Sequence, residues 1–265
     1  MSKKVAIVTG GTSGIGRATA LALQERGYTV YELSRRAEGM PDIRHIVADI
    51  TKEETLQAAV EQVLAVEGRL DLVVNNAGFG ISGAIEFTDT QEAQRLFDTL
   101  FFGMVRMNRC VIPLMRQQGH GRIVNISSVA APVPIPFQAY YSAGKAAINA
   151  YTMALANELR PFGVTVCAVM PGDIKTGFTA ARHKIIDGDD IYQGRIDRSV
   201  QRMEHDEQTG MDPAKVGRYV AAVASREGSH HPLYATRIDY KFFVFLTKVL
   251  PARFLNWLIY QLYGK

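Results

Sequence analysis

Cysteine is nearly missing from this sequence of 265 residues, which has only Cys110 and Cys167. Two cysteines so far apart supply neither a disulfide framework nor the paired spacing of a zinc site, as in a protein of a reducing compartment. Charge of one sign is scarce as well. The 30 basic and 26 acidic residues leave a net charge of +4, and no block of like charge offers a nucleic-acid footprint. No apolar stretch approaches about 18 residues, so no spanning helix is expected. The start, "MSKKVAIVTGG", reads as a short strand with glycines rather than the apolar core of a secretory signal. Internal repeats, low-complexity tracts and linkers are missing too. With 47% apolar and 21% charged residues, the chain is expected to be a single cytoplasmic domain over residues 1–265.

What is there is an alternation. Apolar runs at 4–9, 29–33, 44–48, 70–76, 121–127 and 164–170 read as strands. They are nearly continuous, as strands are when helices cover both faces of a sheet. Helical patterns lie between them near 15–26, 53–67, 89–118 and 139–161. The alternation predicts right-handed βαβ units and a doubly wound α/β fold, a parallel sheet of about seven strands with helices on both faces. Two segments break the pattern. Residues 173–210 are polar and glycine-interrupted, the length of a functional cover, and residues 230–265 are rich in aromatics.

"VTGGTSGIGRA" (8–18) follows the first strand and opens the first helix. Gly10, Gly14 and Gly16, with Thr12, Ser13 and Ile15 between them, would let a diphosphate approach the helix N-terminus, where free N–H groups favour an anion. The spacing is not G-x-G-x-x-G. The second strand ends in Ser34, Arg35 and Arg36 without a carboxylate. A guanidinium suits the 2′-phosphate of NADP(H), where an acidic residue would favour NAD(H). "YYSAGK" (140–145) sets Tyr141 one helical turn from Lys145, while Tyr140 points elsewhere. An ammonium beside a phenol is expected to lower its pKa and make Tyr141 an acid or base. Taken alone, the same pair would also suit a half-buried tyrosine and a snorkelling lysine.

Together these residues resemble the short-chain dehydrogenase/reductase family over roughly residues 4–226. T-G-x-x-x-G-x-G is matched by Thr9, Gly10, Gly14 and Gly16, and N-N-A-G by Asn75, Asn76, Ala77 and Gly78. The S-x(12)-Y-x-x-x-K constellation is matched by Ser128, Tyr141 and Lys145, and P-G-x-x-x-T by Pro171, Gly172 and Thr176. The resemblance implies a Rossmann-type fold and hydride transfer between NADP(H) and a secondary alcohol or ketone. It makes Tyr141 the general acid/base, Ser128 the oxyanion donor, and Lys145 the residue that tunes Tyr141 and holds the nicotinamide ribose. It also puts Asp49 on the adenine amino group with Ile50 beside it. Asn76, with Ala77 and Gly78, falls on the nicotinamide-ribose side, and Pro171, Gly172, Ile174 and Thr176 on the carboxamide. Leu100 stands where many members carry an asparagine thought to hold a water near the lysine, which puts that proton relay in question.

Ile135, Phe137 and Phe178 are expected to line an apolar pocket suited to a steroid, retinoid or lipid-like carbonyl rather than a sugar. His183, His205 and Asp187–Asp190 read as solvated surface, and no metal constellation is visible. A non-catalytic NADP(H)-sensing or scaffold protein, or an epimerase or dehydratase, would share the fold. The resemblance also implies a homodimer or homotetramer paired through 89–118 and 139–161, where Ala146, Ala147, Ala150, Ala154 and Ala156 offer a small-residue surface. Pro251 divides 239–265 into two helices, and Phe254, Leu255, Leu258, Ile259 and Leu262 form a stripe on the second. That stripe would pack on the chain itself, cover a partner subunit or touch a membrane surface.

Overall fold

The structure is a computed structural model and describes residues 3–226 and 231–265. Met1, Ser2 and residue 230, which the sequence reading assigned to the domain and the C-terminal extension, lie outside the described residues. The first half runs β1 (Val5–Thr9), α1 (Gly14–Glu25), β2 (Thr29–Ser34), β3 (Arg44–Val47), α2 (Glu53–Glu67), β4 (Leu72–Asn75) and β5 (Ile81–Ser82). α3 (Thr90–Phe97), α4 (Gly103–Gln118), β6 (Gly121–Ile126), α5 (Ala139–Leu159) and β7 (Val164–Met170) follow. The remainder is α6 (Phe178–Ala181), β8 (His183–Lys184), α7 (Arg195–Gln208), α8 (Pro213–Ala224), β9 (Leu233–Ala235), α9 (Ile238–Val249) and α10 (Ala252–Ile259).

Seven parallel strands form the main sheet in the order β3-β2-β1-β4-β6-β7-β9. Strand order reverses between β1 and β4, the point where doubly wound sheets open a crevice. Residues of β1 alternate between two cores, as the period of two requires. Ala6 and Val8 pack with Leu23, Val216 and Val220 under α1 and α8. Val5 and Ile7 pack with Val63, Val111 and Ile123 under α2, α4 and α5. Neither face meets water, which is why the strands read as continuous apolar runs.

Four features depart from the sequence reading. The seventh strand, β9, lies inside the segment taken as a helical extension, and its three residues are too few to carry a period. The helix expected over 89–118 is interrupted by a π-helical turn at Asp98–Phe102 that contains Leu100, and it then runs through Pro113. One extra residue per turn leaves no trace in a hydrophobic pattern, and such turns mark functional sites often. The segment at 173–210, in which no period could be read, holds α6, β8 and α7. α7 buries Ile196, Val200 and Met203, a turn apart on an otherwise charged helix, and β8 pairs with β5 in a second, two-stranded sheet. Phe137, expected in the substrate pocket, has φ +58° and turns instead to Tyr192, 5.6 Å away edge-on.

Beneath the sheet's C-terminal end the interior is polar. Asn75 Nδ2 donates to Asn108 Oδ1 and to Asn125 Oδ1, both at 2.8 Å, and Asn125 Nδ2 donates to Thr152 Oγ1 at 2.9 Å. All four residues are buried. Asn125→Ala removes one acceptor and one donor at once and is expected to lower stability by about 1–3 kcal/mol. Urea unfolding checks this, and an unchanged midpoint would show that the cluster holds nothing together.

Candidate active site

The crevice between β1 and β4 is held in shape by hydrogen bonds at the strand ends. The N–H groups of Asn76 and Ala77 donate to Thr9 Oγ1 at 3.0 and 3.1 Å. Asn76 Nδ2 donates to the Thr9 and Gly10 carbonyls, both at 3.1 Å. Gly10 has φ +66°, a left-handed turn that glycine adopts without strain. A Cβ at Gly16 would collide with the Gly10 carbonyl and the Asn76 amide. Ser13 makes no side-chain cap bond and the first turn of α1 holds no acidic residue, so its leading N–H groups face the crevice. A bare turn of this kind fits a diphosphate.

The crevice widens into a cleft of about 1160 Å3. Every residue singled out from the sequence for catalysis or cofactor binding lines it except Gly16, which lies buried behind the turn. At the end of β2, Arg35 and Arg36 are exposed, and their guanidiniums make no ion pair among the described residues. The carboxylate three positions before Arg35, Glu32, is buried under Gly11 and bonded to His45. Burial pushes its carboxyl up, partly offset by that bond. Asp49 Oδ1 accepts from the N–H and hydroxyl of Thr51 at 3.0 and 2.8 Å. Burial alone would raise the Asp49 pKa, but these bonds, with Arg35 and Lys52 nearby, lower it.

On the opposite wall the two serines divide their work. Ser127 donates to the Lys145 carbonyl at 3.1 Å and ties α5 to β6. Ser128 accepts from Ala130 N at 3.1 Å, and its hydroxyl acts to lower the pKa of Tyr141. Tyr141 lines the cleft and Tyr140 does not. Lys145 is buried, with Nζ 5.5 Å from the Tyr141 ring centre and donating to the Ile126 carbonyl at 2.8 Å. The expected lowering of the tyrosine pKa is reversed here. Burial pushes Tyr141 up to about 12 against the lowering influence of Ser128, and burial brings Lys145 down to about 7. The lysine is bonded to a carbonyl rather than to the phenol, so desolvation outweighs its attraction.

Leu100 is buried from the π-helical turn against Gly78. With Thr9 and Asn75 it bounds a cavity of about 10 Å3, at the lower limit of what one water needs. The segment after β7 is fixed from far along the chain. The Tyr240 ring lies against Gly172, its hydroxyl accepts from Asp173 N at 3.0 Å, and it donates to Asp173 Oδ2 at 3.1 Å. Thr176 Oγ1 accepts from Phe178 N at 3.2 Å.

The sequence profile of the short chain dehydrogenase family matches residues 4–185. The chain belongs to that family. It is 37% identical over 261 residues, 97% of this chain and 94% of the other, to a 3-ketodihydrosphingosine reductase of Bacteroides thetaiotaomicron. Among solved structures it is similar to a short-chain dehydrogenase from Streptomyces avermitilis, with TM-score 0.82 and 33% identity over 92% of each chain. It is also similar to a 3-ketoacyl-(acyl-carrier-protein) reductase from Brucella melitensis complexed with NADH. That match has TM-score 0.74 and 28% identity, covering 88% of this chain and 96% of the other. The chain is therefore a short-chain oxidoreductase with a Rossmann-type nucleotide-binding fold.

Sequence reasoning missed the polar floor at this end of the cleft. Glu207 lines the cleft, pairs with the buried Arg182 and accepts from Thr179 Oγ1 at 2.5 Å. Asp173 lines it too, its carboxyl raised by burial against the Tyr240 bond. These residues sit on α6, α7 and a loop, with no spacing between them to read. Phe178 and Ile135 do line the cleft, and the Phe178 ring centre is 5.7 Å from that of Tyr141.

The lysine offers a direct test. Unfolded, Lys145 keeps its ordinary value of 10.5, so between about pH 7 and 10.5 the unfolded chain binds more protons than the folded one. Its destabilising contribution is therefore full below about pH 7 and fades as the pH rises toward 10.5. Relative to the parent, Lys145→Met is expected to melt highest near neutrality, with the margin shrinking toward alkaline pH. Losing the bond to Ile126 adds a constant offset, so the trend is the readout. A margin independent of pH would show an ordinary lysine.

Proposed function

We propose that the protein is an NADP(H)-dependent reductase that converts a long-chain, apolar ketone into a secondary alcohol, with Tyr141 as proton donor. One observation carries the reading: Ser128, Tyr141 and Lys145 meet on the wall of the cleft into which the glycine turn opens. When bound, the reduced nicotinamide would supply a hydride to the carbonyl carbon. Ser128 would hold the carbonyl oxygen, and Tyr141 would give it a proton as negative charge grows there. A phenol near 12 keeps its proton until that charge develops. Lys145 stands close enough to stabilise the phenolate left behind. The same residues run the oxidation in reverse.

NADP(H) is favoured over NAD(H) because Arg35 and Arg36 are the charges offered at the ribose end, while Glu32 is buried and engaged by His45. A relative was solved with NADH, so this choice lies in this chain's own residues. The substrate class is supported by Phe79, Ile135 and Phe178 along the cleft, and by the full-length relative that acts on a sphingoid 3-ketone. An epimerase, dehydratase or sensing protein would leave NADPH unconsumed, which absorbance with a ketone panel reads directly. The protein is read as cytoplasmic and as a homodimer or tetramer. Pairing would use the outer faces of α4 and α5, where Ala146, Ala150, Met153 and Ala154 are exposed. Light scattering is expected to give at least twice the chain mass, and a monomer at micromolar concentration overturns the pairing.

Tyr141→Phe is expected to lower turnover by about 10²–10⁴ while NADPH binding stays intact. Tyr140→Phe should keep most activity, and equal loss in both variants would remove Tyr141 from its role. Arg35→Ala should weaken NADPH binding by about one to two decades and leave NADH binding nearly unchanged. Equal affinity of the parent for NADH and NADPH by fluorescence titration rules out the preference.

A further inference from the structure

We propose that α9 and α10 form a docking surface for an anionic lipid bilayer. No residue of α9 is buried, and of α10 only Ile259 is. The segment is nevertheless fixed to the chain, by Tyr240 on Gly172 and Asp173, by Tyr263 hydrogen-bonded to Asp206, and by Arg195 donating to the Gly264 carbonyl. Intrinsic packing thus uses a few anchors and leaves the rest outward.

The outward residues are arranged. Ile238, Phe242, Phe245 and Val249 recur at steps of four, three and four, so they form one narrow stripe of a helix. That stripe points into water, with Phe242 59% and Phe245 55% exposed. Lys241 and Lys248 follow the helical spacing along one edge of it, and Arg237, just before the helix, is paired with Asp239. On α10, Phe254 and Trp257 stack at 5.8 Å and are both exposed, Trp257 by 54%. An apolar face with cations at its rim and aromatic rings beside it is the pattern of a helix lying in a lipid interface. Among the described residues no helix is long and apolar enough to cross a membrane, so the contact is peripheral.

Charge chooses between a bilayer and a second copy. Residues 231–265 carry five basic residues and one acidic, so their net charge equals the +4 of the whole chain. A two-fold contact through this face would set like charge against like charge, whereas anionic headgroups neutralise it. The face also borders the substrate end of the cleft through Tyr240, which contacts two residues of its wall. Delivery of a lipid ketone from the bilayer rests on the reductase reading given above; the docking does not.

Trp257 is the single tryptophan of the chain and reports on the surface directly. Full-length protein is mixed with phosphatidylglycerol–phosphatidylcholine vesicles and with pure phosphatidylcholine vesicles, without cofactor or substrate. Expected are co-sedimentation with the anionic vesicles, loss at high salt, and a blue shift of Trp257 emission quenched by brominated lipid. Phe242→Ser with Phe245→Ser should weaken the partition about a hundredfold, with oligomer mass and NADPH binding unchanged. Lys241→Glu with Lys248→Glu should abolish the preference for anionic lipid. No sedimentation at low salt, or an unshifted Trp257, overturns the proposal. A Phe242/Phe245 variant that falls to a smaller oligomer also overturns it, because the face is then a subunit contact. Vesicle binding with no ketone reduced would leave docking standing and remove the reductase reading.

Discussion

The hydrogen bonds that join Thr9 and Gly10 to Asn76 and Ala77 are the constraint on which the rest of the site depends. They span the two strands where sheet order reverses, so the chain must leave β1 in one direction and β4 in the other. The gap between is the crevice. Because the Asn76 amide occupies the floor of the turn, the position above it has room for no Cβ, and Gly16 follows from that contact. The free N–H groups of α1 then face the gap. A turn suited to a phosphate results from strand topology and one asparagine alone.

The same end of the sheet is unusually polar inside. The buried stripe of α5 includes Ser142, Lys145, Asn149 and Thr152, where a helix serving only as packing would carry leucines. The cluster of Asn75, Asn108, Asn125 and Thr152 gives β4, α4, β6 and α5 a common set of hydrogen bonds, so the elements that carry Ser128 and Tyr141 are held by directional contacts. Such contacts fix geometry more sharply than apolar packing, at some risk to stability if one member is lost. Leu100 sits at the margin of this polar region and narrows the space left to a water.

Much of this was legible in the sequence because it is local. Apolar runs gave six strands their places, and the i to i+4 spacing picked Tyr141 over Tyr140. The glycine turn and the arginines at 35 and 36 follow strands that could be seen. What was hidden is long-range or has no period. β9 is three residues long, the π-helical turn at 98–102 adds one residue to a helix without changing its composition, and α7 buries three apolar residues among charges. The Tyr240 contact with Asp173 crosses 67 positions, and the Arg182–Glu207 pair joins the end of α6 to α7, neither of which has a readable period. Phe137 was placed by its neighbours in sequence, and a left-handed backbone sent it elsewhere.

The pKa of Tyr141 shows why spacing alone could not settle the chemistry. A lysine one turn away was expected to pull the phenol down, but burial acts on both groups and in the direction that neutralises each. With the phenol near 12 and the ammonium near 7, the neutral pair is the state the empty cleft favours. A proton donor needs that state at rest, because a tyrosine already ionised could not protonate an alkoxide. Lys145 gains its electrostatic worth only when negative charge arrives on Tyr141, since a new phenolate in a low-dielectric wall would favour the protonated form of the lysine beside it. The desolvation that undoes the simple expectation thus leaves Lys145 titrating near neutrality, where its charge can follow the charge on Tyr141.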